Sequence, residues 1–393
     1  MSGGTKPIRV LLVSDSYPPV LGGSEVEAQR VSAALIARGH QVRVLCAGGP
    51  PMPPVTDWVD PEGVPVKILT RHSRGRRKDI LFSLRVARHI LSARNDYDVI
   101  YFLMQGLQIA TGLPLARLLR KPTVMKIAGS GVIPAMRLSR AGRVELNWLQ
   151  QWKIPLMILN DGMIEEAEKD GFSRDQLVWM PNPVDVNVFR PPLDGEALAW
   201  RRSHGLPPDA PLAVYVGRLS REKGVPPLLR GFAVAARRSP KAMLLLVGDG
   251  ALRPELEEMA KGFDLGPDRI RFVGRVPIDE VPFWLRASDV YALTSPSEGF
   301  SCALLEAMAV GLPSVVSAIP ANLQLVDDGV HGLTVPWDDE NRIGEAFLRL
   351  FEDAAFRQRM GGVARQRVID NYSTDKVLDR YESLFRNMLK ARS

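Results

Sequence analysis

The stretch Ile8-Arg9-Val10-Leu11-Leu12-Val13-Ser14 decides the fold, together with the loop Asp15-Ser16-Tyr17-Pro18-Pro19-Val20-Leu21-Gly22-Gly23 and the segment Ser24 to Gly39 that follow it. A short apolar run without alternation suits a strand covered on both faces, as in a parallel sheet. Past the glycines, Ala28, Val31 and Leu35 recur at helical spacing. Ser24, with Glu27 three residues later, reads as a capping box that opens the helix, and Gly39 supplies its stop. Gln41 to Ala47 is the next strand. Strand, glycine loop, helix, strand is how a doubly wound α/β sheet begins. It puts Gly22 and Gly23 at a strand's carboxyl end beside a helix start, where such sheets bind ligands.

The same order returns in the second half. Leu212 to Val216 runs into Gly217-Arg218-Leu219-Ser220-Arg221-Glu222-Lys223-Gly224, then into a helix with Pro226 and Pro227 in its first turn. Met243 to Val247 leads through Gly248-Asp249-Gly250 to a helix near Arg253 to Lys261, and Arg269 to Val273 and Val290 to Leu293 continue a parallel sheet. Gly248-Asp249-Gly250 lacks the rest of a dinucleotide fingerprint and reads as a structural turn. Between the halves, Pro181-Asn182-Pro183 through Phe189-Arg190-Pro191-Pro192 reads as the connection, so the domains are expected at 1–192 and 193–372. Two such Rossmann-like units, with their strand ends turned toward one another, imply a central cleft.

Chemistry concentrates in Ser297-Glu298-Gly299-Phe300-Ser301-Cys302-Ala303-Leu304-Leu305-Glu306, which follows the strand ending at Leu293. Glu298 falls in the polar turn and Glu306 more than one turn into the next helix. The backbone N–H groups from Ser301 to Leu304 face the mouth between them and favour an anion. A carboxylate beside a phosphate site needs another partner, and sugar hydroxyls donate to carboxylates. A nucleotide-sugar satisfies both. Arg218 offers a planar fork for diphosphate oxygens, and Lys223 in the same loop adds a mobile point charge.

Composition fits a soluble globular protein, with 46% hydrophobic and 24% charged residues over a length suited to two or three domains. Met1 to Lys6 carries no apolar leader, and no uninterrupted apolar run approaches the roughly 20 residues that span a bilayer. Cys46 and Cys302 are too few for a disulfide framework, which points to a reducing cytoplasm. The five histidines (His40, His72, His89, His204, His331) show no ligand spacing, so no metal is expected.

A net charge of +7 suits an anionic partner. The basic run Arg71, Arg74, Arg76, Arg77, Lys78, followed by Leu81 to Leu91, reads as a basic amphipathic helix that either touches a membrane periphery at the inner face or simply packs on its domain. Trp148 and Trp152, four apart, read as core rather than as a sugar platform.

Pro296-Ser297-Glu298-Gly299-Phe300 with Leu305-Glu306-Ala307-Met308-Ala309 and Gly311-Leu312-Pro313 resembles the signature of the family 4 retaining glycosyltransferases, of the GT-B fold and the group 1 type. The likeness extends in order along the chain. It takes in Gly22-Gly23, Pro181-Asn182-Pro183-Val184-Asp185 with Phe189-Arg190-Pro191, Gly217-Arg218-Leu219 with Lys223-Gly224, Phe272-Val273-Gly274, and Asp328-Gly329 with Gly332-Leu333.

The resemblance implies a nucleotide-diphosphate-sugar donor and a glycan, lipid-linked or small-molecule acceptor, with no cofactor and no nucleic acid. Glu306 would accept from the ribose hydroxyls, Glu298 would lie near the transferred sugar, and Arg218 and Lys223 would neutralise the leaving diphosphate. Phe272 to Val276 would hold the base through backbone. Residues 373–393 would form a closing helix that returns to the first domain. Where the family often has a histidine, this chain has Ala128, leaving Lys126, Ser130 or Gly131 as substitutes. A GT-B epimerase or phosphorylase and a nonenzymatic carbohydrate-binding relative are the alternatives. A dinucleotide oxidoreductase lacks its fingerprint.

Overall fold

The computed structural model describes residues 6–20, 22–49, 52–53, 55–71, 76–103, 106–266 and 268–391. It divides into two compact units, Met1–Pro183 with Thr374–Ser393, and Val184–Ser373.

The strands of unit 1 are β1 (Arg9–Ser14), β2 (Gln41–Gly48), β3 (Asp57–Val59), β4 (Pro65–Arg71), β5 (Val99–Leu103), β6 (Thr123–Lys126), β7 (Leu156–Ile158) and β8 (Leu177–Trp179). Its helices are α1 (Gly23–Ala37), α2 (Arg76–Ser92), α3 (Leu107–Leu118), α4 (Val132–Arg137), α5 (Arg140–Gln151) and α6 (Asp161–Lys169). The sheet order is β3-β4-β2-β1-β5-β6-β7-β8, parallel throughout except for the short edge hairpin of β3 with β4. The winding reverses between β1 and β5, so the loop carrying Gly22 and Gly23 leaves the sheet at its switch point.

Unit 2 contains β9 (Leu212–Val216), β10 (Met243–Val247), β11 (Ile270–Gly274), β12 (Val290–Leu293), β13 (Ser314–Ser317) and β14 (Gly332–Val335). Its helices are α7 (Glu196–Ser203), α8 (Val225–Arg238), α9 (Arg253–Lys261), α10 (Val281–Arg286), α11 (Cys302–Val310), α12 (Pro320–Leu323), α13 (Glu340–Glu352) and α14 (Ala354–Asn371). All its strand pairs are parallel, in the order β11-β10-β9-β12-β13-β14, with the switch point between β9 and β12. The last helix, α15 (Thr374–Lys390), belongs to unit 1, where Val377, Leu378, Tyr381 and Phe385 join the core formed with β1, β2 and β5.

The unit boundary falls between Pro183 and Val184, inside the proline-rich connection and earlier than the expected domain end at 192. Long-range donors explain the difference. The Val184 amide donates to Tyr372 O at 3.0 Å, Arg286 Nη2 to Val188 O at 2.5 Å, and Arg365 Nη1 to Phe189 O at 3.1 Å. These contacts fasten 184–190 to unit 2.

Two local readings are corrected inside unit 1. Glu27 caps nothing: α1 starts at Gly22 with no side-chain cap, and Glu27, 5% exposed, pairs with the Lys126 ammonium. Lys126 is fully buried at the end of β6 and also donates to Asn182 Oδ1 at 2.9 Å. Tyr381 of α15 donates to Glu27 at 3.2 Å and meets the Tyr101 hydroxyl at 3.2 Å. A lysine so enclosed holds no ligand sugar, which removes it as a substitute for the missing histidine. Ser130 and Gly131 stay exposed beyond Ala128.

Glu145 on α5 is 4% exposed, and burial pushes its carboxyl up to about 7. The folded chain therefore holds this proton more tightly than the unfolded chain, and the resulting stability is lost as pH rises from about 4.5 to about 7. Glu145→Gln removes that loss. Thermal melts should show the variant gaining up to about 3 kcal/mol at pH 8 and nothing near pH 4. A gain of equal size at both pH values would mean that packing, not charge, sets the difference.

Candidate active site

Unit 2 builds its site where the loops after β9 and β12 leave adjacent parallel strands at the switch point. Gly224, at φ 61°, begins α8, and a Cβ there would collide with the carbonyl of Thr294. Thr294 Oγ1 donates back to Gly224 O at 2.7 Å, locking the two loops together. This close approach requires glycine.

On that frame Lys223 Nζ reaches both carboxylate oxygens of Glu298, at 2.8 and 2.9 Å. The Glu298 side chain is 7% exposed and that of Lys223 30%. Ser295 Oγ donates to the same carboxylate at 2.6 Å. Ser317, closing β13, donates to Ser295 O, and Asn322 Nδ2 donates to Ser317 O at 3.0 Å. The ammonium is thus aimed by a chain of partners extending into the sheet. Arg218 has the opposite character. It is largely exposed, with a loose 3.7 Å pairing to Glu222, while its carbonyl is fixed by the Tyr215 hydroxyl at 2.7 Å. Its fork is free to swing.

In α11, Ser301 is the N-cap and its Oγ accepts from the Leu304 amide at 3.4 Å, so that amide is already engaged and the Leu304 side chain is fully buried. The Leu304 side chain anchors the helix, while its amide lies in the first turn beside Ser301. Cys302, Ala303 and Glu306, spaced one turn apart, form the open face of a helix otherwise buried. Tyr291 of β12 lies between the acids. Burial raises its hydroxyl well above the usual range, and the charges of Glu298 and Glu306 add to the rise. Gly299 and Phe300 are half-buried, and the Phe300 ring packs on Tyr372 at 6.3 Å. Val276 is half-buried just past the end of β11.

Gly248 and Gly250 are structural, as expected. A Cβ on either would strike the backbone of Gly217 or Leu219. Gly22 and Gly23 in unit 1 differ, since Gly22 is extended at φ −171° and Gly23 has open space where a Cβ would stand. The chain's own packing does not demand Gly23, which leaves room for a ligand. Trp148 and Trp152 are half-buried and stacked on each other at 5.3 Å, with the Arg117 guanidinium 5.0 Å above Trp152. Sequence reasoning missed Ser295, Ser317 and Asn322. The only signal for the two serines was a small polar residue ending an apolar strand. Among the described residues no group of three or more His, Cys, Asp or Glu could hold a metal ion.

Residues 197–367 match the model of the glycosyl transferases group 1, and residues 22–183 that of the glycosyl transferase 4-like domain. The chain belongs to the group 1 glycosyltransferases. It is 24% identical over 389 residues to an uncharacterized glycosyltransferase of Methanocaldococcus jannaschii, covering 94% of this chain and 96% of the relative. It is 35% identical over 198 residues to the D-inositol 3-phosphate glycosyltransferase of Kribbella flavida, covering 48% of this chain and 46% of that one. Among solved structures, Anabaena HepE in complex with UDP and glucose superposes with a TM-score of 0.79 at 19% identity, over 97% of this chain and all of HepE. The fold is GT-B. Both family matches make this chain a glycosyltransferase.

Proposed function

We propose that the transfer proceeds with retention of anomeric configuration and that Arg218, Lys223 and the start of α11 carry the charge of the leaving diphosphate. The supporting observation is the pairing of Lys223 with Glu298 across the β9 and β12 loops, which fixes a cation at the strand ends of a parallel sheet. As the bond from the anomeric carbon to phosphate breaks, its electron pair goes to the diphosphate oxygen, and preorganised cations lower the cost of that charge. The acceptor oxygen bonds to the same face of the sugar, and its proton passes to the departing phosphate oxygen.

Glu298 orients Lys223 and lies beside the transferred sugar. Glu306, on the open face of α11, accepts from the ribose hydroxyls, while Gly299, Phe300, Ser301 and Val276 border the donor through backbone. Within unit 1, Gly23 at the switch point leaves backbone open to a sugar or phosphate, and Gly22 beside it keeps clear of the Glu25 carboxylate. The acceptor is a glycan, a lipid-linked acceptor or a small molecule, and no step uses a metal or other cofactor.

The test is a thermal-shift panel of UDP-, GDP-, ADP- and TDP-sugars, because a ligand that binds only the native state raises Tm. One base should stand out, and Glu306→Ala should weaken its binding by about 10- to 100-fold, the worth of hydrogen bonds to a charged acceptor. The anomeric coupling constant of the product reads retention directly. No shift with any donor would sink the proposal.

A further inference from the structure

The helix α2 has two differently built faces. Phe82, Ser83, Val86 and Ile90 are buried, the helix packing on α3 and β4. That agrees with a helix docked on its domain. The opposite arc is not polar. Ile80 is 47% exposed, Leu84 56% and Leu91 47%, at positions that share one line along the helix, with Leu81 at 42% beside it. Single exposed leucines mean little, but four on one arc form a patch.

Charge completes the picture. Arg85 and Arg88 are exposed on the same arc, and no acidic residue occurs from Ile80 to Leu91. One Arg85 N–H donates to Leu69 O of β4. Of the basic run that precedes this segment, Arg74 lies outside the described residues, and the argument stands on Arg85 and Arg88 alone. The positive balance of the whole chain also falls in unit 1, since unit 2 holds more acidic than basic residues. Among the described residues no helix is long and apolar enough to cross a membrane.

We infer that the outer face of α2 docks unit 1 on the surface of an anionic bilayer, with Ile80, Leu81, Leu84 and Leu91 entering the acyl boundary and Arg85 and Arg88 meeting lipid phosphates. Leucines for the acyl boundary, arginines for the phosphates and no acid to repel them match an interfacial helix lying in the membrane plane. A second copy of the chain fits poorly, because a symmetric contact would set the arginines against each other. The inference does not rest on the transfer chemistry.

Sedimentation of the full chain with vesicles tests it without any donor. Vesicles containing about a third phosphatidylglycerol should bind at least about tenfold more tightly than pure phosphatidylcholine, and about 0.5 M salt should abolish the difference. Leu84→Gln and Arg88→Gln should each weaken binding to the anionic vesicles by about tenfold. Both sites are exposed, so Tm and nucleotide-sugar binding should stay as in the parent chain, which separates this failure from failure of the donor site. Equal binding to neutral and anionic vesicles would overturn the inference. So would unchanged binding of Leu84→Gln, or a dimer at micromolar concentration that Leu84→Gln dissolves.

Discussion

Arg218→Ala and Lys223→Ala should each lower kcat by about 10²- to 10³-fold, the usual effect of removing one cation from a developing charge. The loss should appear in kcat more than in KM, because the diphosphate gains charge as the glycosidic bond breaks and binds these cations more strongly then than in the ground state. The two variants should differ in stability. Arg218 is exposed and loosely paired, so its removal should leave Tm within about 1 °C. Lys223→Ala strands the nearly buried Glu298 with only Ser295 to satisfy it, at about 1–3 kcal/mol. Steady-state rates and melts on the same preparations separate the effects. Wild-type kcat in both variants would place the chemistry elsewhere.

Lys126→Met should destabilise unit 1 by about 3–5 kcal/mol, the cost of leaving a buried carboxylate without its counter-ion. For a unit of this size that is a fall in Tm of about 10 °C. The double variant Lys126→Met with Glu27→Leu should recover most of the loss, because a buried pair often breaks even against apolar residues of similar volume. A double-mutant cycle measured by denaturant unfolding gives the coupling. Additive losses would show that Asn182 and Tyr381, rather than Glu27, hold the lysine.

What could be read from sequence divides along a physical line. The strands Leu212–Val216, Met243–Val247 and Val290–Leu293 and the helix Arg253–Lys261 stand where expected, because each is set by its own apolar run and the glycines or prolines beside it. Lys223 and Glu298 were legible as loop residues for the same reason, since each follows such a strand, whereas their mutual pairing was not. Glu27 was not. Its spacing from Ser24 imitates a cap, yet its carboxylate is claimed by a lysine 99 residues away. Within the proline-rich connection, the point at which one unit ends is set by distant arginines that take its carbonyls. The supports Ser295, Ser317 and Asn322 carry no spacing at all, and only folding brings them into line.

The placement of α15 has a consequence for synthesis. Unit 1 precedes unit 2 in the chain but takes Tyr381 and Phe385 into its interior from the helix that follows unit 2. While the nascent chain leaves the ribosome, unit 2 can close on its own contiguous segment, whereas the earlier unit must wait with an uncovered apolar floor until α15 has emerged. The second-made unit is the first that can finish folding, and premature termination after it would release a protein whose opening half offers that floor to chaperones and proteases.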